Sequence, residues 1–450
     1  MTRRELVRGL GLVPTMSLVV GTIIGTGVFL KTARMAQLTG TPYLVLLAWV
    51  AAGLLSLAGA LSYAELGAML PAAGGEYVYL RAAYGDLPAF LFGWMRLAVG
   101  STGSIASFGA AFATFLSAVA PLDSVGSRRL VSVGVILLFT AINCLRVSIG
   151  GRVQAVLTLG KVLAIASIAI GVFFFSPTAT WEHLHAPAGV AAWCGFPAFG
   201  AAMLSALWAF DGWNNMPMAA GEVRDPGRNI PLALIGGMAI VLAVYGLLNL
   251  AYCYALPIEA IAASSSTLHG AALPVASKAA QTFLPRFGAQ LVAIAALLST
   301  IGVLNGSILT GARIPYAMAR DGLFFAGFGE LGQRSAVPVP SIVLQGIWAS
   351  VLVLSATFDQ LTDCVIFAGM IFYAATATAV LVLRKKRPEA LRPYKTLGYP
   401  VVPLLFVMVA VWLLINTLST DPFESAAGLG LIALGLPVYY WQRRKRLSLT

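Results

Sequence analysis

Apolar runs that approach the length of a membrane span recur along the whole chain, among them 43–61, 130–144, 162–175, 232–251 and 401–415. A helix needs about 20 such residues to cross a hydrocarbon layer roughly 30 Å thick. Inside that layer no water satisfies a backbone N–H or C=O, so only helices or a closed barrel can span it. The runs are continuous and lack the period-two alternation of barrel strands, which selects helices. Of the 450 residues 59% are hydrophobic and 10% charged, more apolar surface than the inside of a soluble globule can hide. The expected fold class is an all-α integral membrane protein with 12 transmembrane helices, at 12–35, 43–69, 87–120, 129–147, 153–176, 196–220, 231–255, 286–317, 340–356, 362–383, 399–418 and 425–442.

The charges give the expected orientation. Arg3, Arg4 and Arg8 precede the first span, "RKKRPEALRPYK" (384–395) follows the tenth, and "WQRRKRLSLT" ends the chain. The positive-inside bias then places both termini and these loops in the cytoplasm, for a multi-pass protein of the cell membrane. It also accounts for the net charge of +12, so no nucleic-acid partner is needed. The opening "MTRRELVRGLGLVP" leads into a long span without a small-residue cleavage site, so it reads as retained. Cys144, Cys194, Cys253 and Cys364 have neither disulfide-framework nor metal-knuckle spacing and read as packing residues. His183 and His185 fall together in one external loop, where a solvated role outweighs a metal site. No metal and no cofactor is expected.

Connections are short, so residues 1–450 read as one domain. Two of the longer ones, "LPAAGGEYVYLRAAYG" and "RDGLFFAGFGELGQRSAVPVP", alternate apolar residues between charged ends, the pattern of interfacial half-helices. Helix-weakening residues interrupt the first span at "GTIIGTG" (21–27) and the sixth at "WAFDGWNN" (208–215). Paired interruptions at corresponding places in two halves point to inverted repeats around a midplane site. The halves would be 12–176 and 196–383, with 399–442 as two additional helices.

A broken helix presents unbonded N–H groups at the start of one half and carbonyls at the end of the other, each with partial charge. Together they match a zwitterion. The N–H groups of Gly25, Thr26 and Gly27 are open to a carboxylate because two of these residues lack side chains, and Thr26 adds a hydroxyl. The carbonyls of Ile23, Trp208 and Ala209 would accept from an α-ammonium. The alternative is that Gly21, Gly25 and Gly27 only let helices pack closely.

Five segments carry a family resemblance: "GTIIGTGVF" (21–29), "SYAELGAMLPAAGGEYVYLRAAYG" (62–85), "LWAFDGWNNMPMAAGEVRDPGRNIPLA" (207–233), "LSTIGVLNGSILTGARIPYAMARDG" (298–322) and "LRKKRPEALRPYKTLGYP" (383–400). In order and across nearly the whole chain they resemble the L-type amino acid transporters of the amino acid–polyamine–organocation superfamily, in a bacterial form. The resemblance implies a leucine-transporter-like 5+5 inverted repeat with discontinuous helices 1 and 6, and sodium-independent antiport of amino acids. It places Ile23, Gly25, Thr26 and Gly27 at the substrate's carboxylate and amine, Trp208 as an aromatic gate, and Ala209 and Asp211 along the unwound sixth helix. It gives Lys161 the place of a sodium ion, with Ser299 as neighbour. Mammalian relatives join a glycoprotein through a Cys between spans three and four; "SAVAPLDSVGSRR" (117–129) has none, so no disulfide-linked heavy chain is expected.

The remaining polar residues leave alternatives open. Lys161 lies too deep in the fifth span for easy snorkelling and needs a partner or a cavity. Asp211, where many relatives have a small residue, could balance a cationic substrate or cap the outgoing half-helix through the N–H of Trp213 or Asn214. Asn305 and Ser307 read as site residues or interhelical glue, Glu65 and Glu76 as anchors of the second internal loop on basic residues, and Arg96 receives no role. The leading function is exchange of small neutral L-amino acids; proton-coupled uptake, or exchange of cationic plus neutral amino acids, is the alternative. An enzyme would need a constellation of ionisable or metal-binding groups inside the spans, and a channel a ring of filter residues; neither is seen.

Overall fold

The protein is described by a computed structural model covering residues 8–117, 120, 122, 124–145, 147–185, 193–264, 272–333, 335–355, 358–420 and 422–447. The helices are α1 (Leu12–Ile23), α2 (Gly27–Thr39), α3 (Pro42–Met69), α4 (Glu76–Tyr84), α5 (Asp86–Met95), α6 (Ser101–Leu116), α7 (Val125–Asn143), α8 (Val147–Phe175), α9 (Phe196–Phe210) and α10 (Asn215–Met218). There follow α11 (Pro226–Ala255), α12 (Ile258–Ala262), α13 (Val275–Gln281), α14 (Gly288–Gly311), α15 (Arg313–Arg320), α16 (Val339–Ser355), α17 (Phe358–Lys386), α18 (Val401–Thr420), α19 (Pro422–Ala433) and α20 (Gly435–Leu447). A π-helical turn at Arg96–Gly100 joins α5 to α6.

Among the described residues nine helical stretches are long and apolar enough to cross a membrane, against the twelve expected. The difference lies in three places. The expected sixth span stops as a helix at Phe210, and α16 has 17 residues. The expected last span divides at Leu434, before Gly435 and Pro437, into α19 and α20. Of the two expected half-helices, α4 is present. The segment after Asp321 forms only a short 3-10 turn, Ala326–Gly329, because Gly322, Gly327, Gly329 and Gly332 give its backbone no helical preference.

α1 packs on α8, α11 and α14, α2 lies along α9, α9 along α3, and α10 meets α14 and α1, so the two interrupted helices pack on each other and on long neighbours. Large rings fill the centre: Trp49 meets Phe210 at 5.9 Å and Tyr245 at 5.6 Å between centroids. The segment before α1 is bound to the segment after α10 by Gly9 and Leu10 N–H bonds to the Glu222 carbonyl and by Arg224 N–H to Leu10. The start of α1 and the segment after α10 are thereby one mechanical unit.

Glu65 and Glu76 differ from expectation. Glu65 accepts from Arg384 at 2.9 and 2.7 Å and from the backbone and hydroxyl of Thr396, each at 2.7 Å. It therefore anchors the loop after α17 rather than the loop that follows α3. Among the described residues Glu76 meets no basic side chain directly; its carboxylate takes the Tyr63 hydroxyl and the Asn214 amide.

A buried ion pair joins Arg313 of α15 to Glu222, at 3.0 Å with the two side chains 1% and 3% exposed. Breaking a buried pair strands its partner's charge at a cost of about 3–5 kcal/mol. Glu222→Gln is therefore expected to lower the unfolding temperature in detergent by several degrees. An unchanged transition would show that the pair contributes little.

Candidate functional site

Both interruptions are backbone breaks, and they touch. α1 ends at Ile23, Ile24 is extended (φ −68°, ψ 95°), and α2 begins at Gly27. α9 ends at Phe210, Asp211 is extended (φ −64°, ψ 147°), Gly212 has φ +118°, and α10 begins at Asn215. The Thr22 hydroxyl lies 2.7 Å from the Leu18 carbonyl on its own helix and 2.9 Å from the Gly212 carbonyl across the gap. A Cβ on Gly212 would lie 2.5 Å from the Thr22 carbonyl oxygen, so the crossing requires glycine.

Tyr245, from the middle of α11, places its hydroxyl 3.1 Å from the carbonyls of both Ile23 and Ala209. These are two of the carbonyls expected to face an α-ammonium. A phenol has one proton, so at any moment one of the two carbonyls has capacity for another donor. The third, that of Trp208, accepts from the Asp211 N–H at 3.2 Å.

Lys161 is fully buried, and its Nζ donates to the Gly21 carbonyl at 2.7 Å and to that of Ile24 at 2.9 Å. It does not snorkel. Ser299 of α14 donates to the Ile24 carbonyl at 2.8 Å and lies 3.3 Å from that of Gly25. Ammonium and hydroxyl together satisfy the carbonyls that the end of α1 leaves without helical partners. A cation is also favoured there by the negative end of the helix dipole.

The glycines divide into two kinds. A Cβ on Gly27 would sit 2.6 Å from the Ala209 Cβ and 2.7 Å from its Cα, and one on Gly21 would sit 2.4 Å from Gln154 and Thr158. These two permit close packing. Gly25 is different: the nearest atoms to such a Cβ are Val303 at 3.4 Å and Phe108 at 3.5 Å, ordinary contact distances. Beside it the Thr26 hydroxyl oxygen is buried with no protein partner. Trp208 is 5% exposed and stacks on Phe108 with 5.7 Å between centroids, so Phe108 connects Gly25 to the Trp208 ring.

Among the described hydrogen bonds none runs from the Trp213 or Asn214 N–H to the Asp211 carboxylate, so the expected cap is not formed. The carboxylate instead accepts from the Tyr373 hydroxyl of α17 at 2.7 Å. Asn214 donates to that same hydroxyl at 3.1 Å and to Glu76 at 3.4 Å, so a polar chain runs below the sixth-helix break. Asn305 stands apart from it: it accepts from Asn143 at 2.9 Å and donates to Gln154 at 3.3 Å, linking α14 to α7 and α8. Ser307 is buried with an unpartnered hydroxyl. Tyr245, Phe108 and Tyr373 are absent from the expected residues. Tyr245 and Tyr373 carried a signal, since each is a phenol within an apolar span and must find a partner there.

A family model described as amino acid permease matches residues 10–434. The chain is 31% identical to a serine/threonine exchanger of Bacillus subtilis, over 98% of each chain. It is 32% identical to the human b(0,+)-type amino acid transporter 1, over 93% of this chain and 84% of that one. The large neutral amino acids transporter small subunit 2 of Mus musculus is 30% identical, over 97% of this chain and 82% of the relative.

Proposed function

The chain belongs to the amino acid permease family, and on that premise we propose that it is a sodium-independent exchanger of small neutral L-amino acids, working by alternating access in the cell membrane. It is a membrane transporter and not an enzyme. The observation that carries the proposal is the contact between two broken helices, Thr22 to Gly212, with the Ile23 and Ala209 carbonyls on one phenol and the start of α2 against Ala209. The substrate's carboxylate meets the N-terminus of α2 at Gly25, Thr26 and Gly27, where the Thr26 hydroxyl has no protein partner. Its ammonium meets the Ile23 or Ala209 carbonyl, taking whichever the Tyr245 proton leaves. Trp208 and Phe108 cover the side chain, and their bulk favours small substrates.

Sodium independence follows from Lys161. Its ammonium supplies a fixed positive charge against the carbonyls of Gly21 and Ile24, so no metal ion is required to hold the first helix. The pairing of breaks supports two inverted repeats, 12–176 and 196–383, followed by 399–442 in a twelve-span chain with both termini cytoplasmic. The serine/threonine exchanger that aligns end to end with this chain supports exchange over uniport. The segment 117–129 has no Cys, in keeping with action without a disulfide-linked heavy chain.

Proteoliposomes test this directly. Uptake of labelled alanine should require unlabelled amino acid inside and be indifferent to sodium. Alanine uptake into empty vesicles under a proton gradient would make the protein a symporter, and a steep sodium dependence would remove the role given to Lys161.

A further inference from the structure

Arg96 is a buried cation that the transport reading leaves without a task. It opens the π-helical turn Arg96–Gly100 and is 4% exposed. π-turns cluster at functional positions because the inserted residue re-aims the side chains around it. Here the guanidinium is aimed at the segment just past the sixth-helix break. Its Nη2 donates to Asn215 Oδ1 at 2.8 Å and lies 3.9 Å from the Met218 sulfur, while its Nε is buried with no partner.

Two carboxylates belong to the same buried cluster: Asp211, four residues before the Asn215 that takes the guanidinium and joined through the Tyr373 hydroxyl to Asn214, and Glu76, bonded to that same Asn214. Asp211 has the Tyr373 hydroxyl, and Glu76 has Tyr63 and the Asn214 amide. All of these partners are neutral. An arginine cannot shed its proton in a protein, so Arg96 is a fixed positive charge in the cluster that holds both acids. Asp211 and Asn215 bracket the same short break, so the bond to Asn215 holds the guanidinium at the break that carries the carboxylate.

We propose that Arg96 sets the charge selectivity of the transporter: it neutralises Asp211 from behind, so the cavity accepts zwitterions with uncharged side chains and rejects lysine and arginine. Arg96 touches no substrate in this scheme and acts through Asp211. A buried carboxylate without a cation draws one in, and an ammonium or guanidinium on a substrate would serve. The internal guanidinium takes that place first. This rests on the amino acid exchange reading and adds to it a residue that determines the substrate class.

The test is the ratio of lysine to alanine apparent affinity, measured by exchange in proteoliposomes for the native protein, Arg96→Gln, Arg96→Lys and the double variant Arg96→Gln with Asp211→Asn. The native protein should prefer alanine. Arg96→Gln should shift the ratio toward lysine at least about tenfold, the size of effect expected when one fixed charge is removed near a desolvated acid. Arg96→Lys should keep the native ratio, and the double variant should return toward it. A purely structural role for Arg96 would lower both substrates together and leave the ratio alone, which would overturn the proposal. So would equal use of lysine and alanine by the native protein. If Arg96→Gln does not accumulate folded, Arg96→Lys decides: a ratio displaced toward lysine with the charge retained overturns charge selectivity. Absence of any amino acid exchange by the native protein would instead overturn the transport reading itself.

Discussion

Lys161→Met is expected to reduce amino acid exchange at least about a hundredfold while the protein still reaches the membrane folded. The lysine makes two charge-assisted bonds, to the carbonyls of Gly21 and Ile24, at 2.7 and 2.9 Å. Each such bond contributes about 1.5–3 kcal/mol, and each 1.4 kcal/mol is a factor of about ten in an equilibrium. Methionine fills much of the same volume without stranding a charge, so the helix bundle persists. What is lost is the tie that fixes the end of α1 relative to α8, leaving Ser299 alone on the Ile24 carbonyl. Gly302 sits against the lysine, a Cβ there lying 2.7 Å from its Cε, so the absence of a side chain at this position of α14 is what admits the lysine. Alanine exchange measured against the amount of monodisperse protein reads the effect. Exchange within threefold of the native rate would show that the first helix holds its broken geometry without the tie.

Where the sequence is informative, the physical reason is a conflict that only one arrangement resolves. Glycines and threonines in the middle of "GTIIGTG", or a Lys nine residues beyond Arg152, are costly in hydrocarbon, and that cost makes them legible. The helix ends at Ile23 and Phe210 fall within the two interruptions read from such residues. Residues that are cheap to bury give no such signal. Phe108 is one phenylalanine among many until α6 brings it against Gly25 and Trp208. The capping role weighed for Asp211 failed for a related reason. A local cap is visible in sequence, but the Tyr373 hydroxyl that takes the carboxylate comes from 162 residues away. Glu65 likewise meets Arg384 across 319 residues. Gly27 is a third case: its spacing fits a carboxylate cradle and a helix crossing equally well, and the closeness of Ala209, which makes the crossing, comes from 182 residues away.

Gly212→Ala should prevent accumulation of a folded transporter, whereas Gly25→Ala should leave folding intact. At φ +118° the Gly212 backbone lies where side-chain-bearing residues are strained by about 1–3 kcal/mol. The added methyl would also stand 2.5 Å from the Thr22 oxygen and 2.8 Å from the Thr22 carbonyl carbon. Backbone cannot rotate away as a side chain can, so relief requires the two breaks to separate, adding about 1–3 kcal/mol of overpacking. Separation also lengthens the Thr22 to Gly212 bond that joins them. Gly27→Ala meets Ala209 backbone at 2.7 Å without the dihedral penalty and should fall between the extremes. At Gly25 the methyl finds only ordinary contacts, with Val303 and Phe108, so its effect should appear in substrate affinity and not in yield. Size-exclusion profiles of the three variants give the order, Gly25→Ala above Gly27→Ala above Gly212→Ala in monodisperse protein. A native-like yield for Gly212→Ala would mean the breaks do not rest against each other in the membrane, and the substrate would then have to be held by one helix alone.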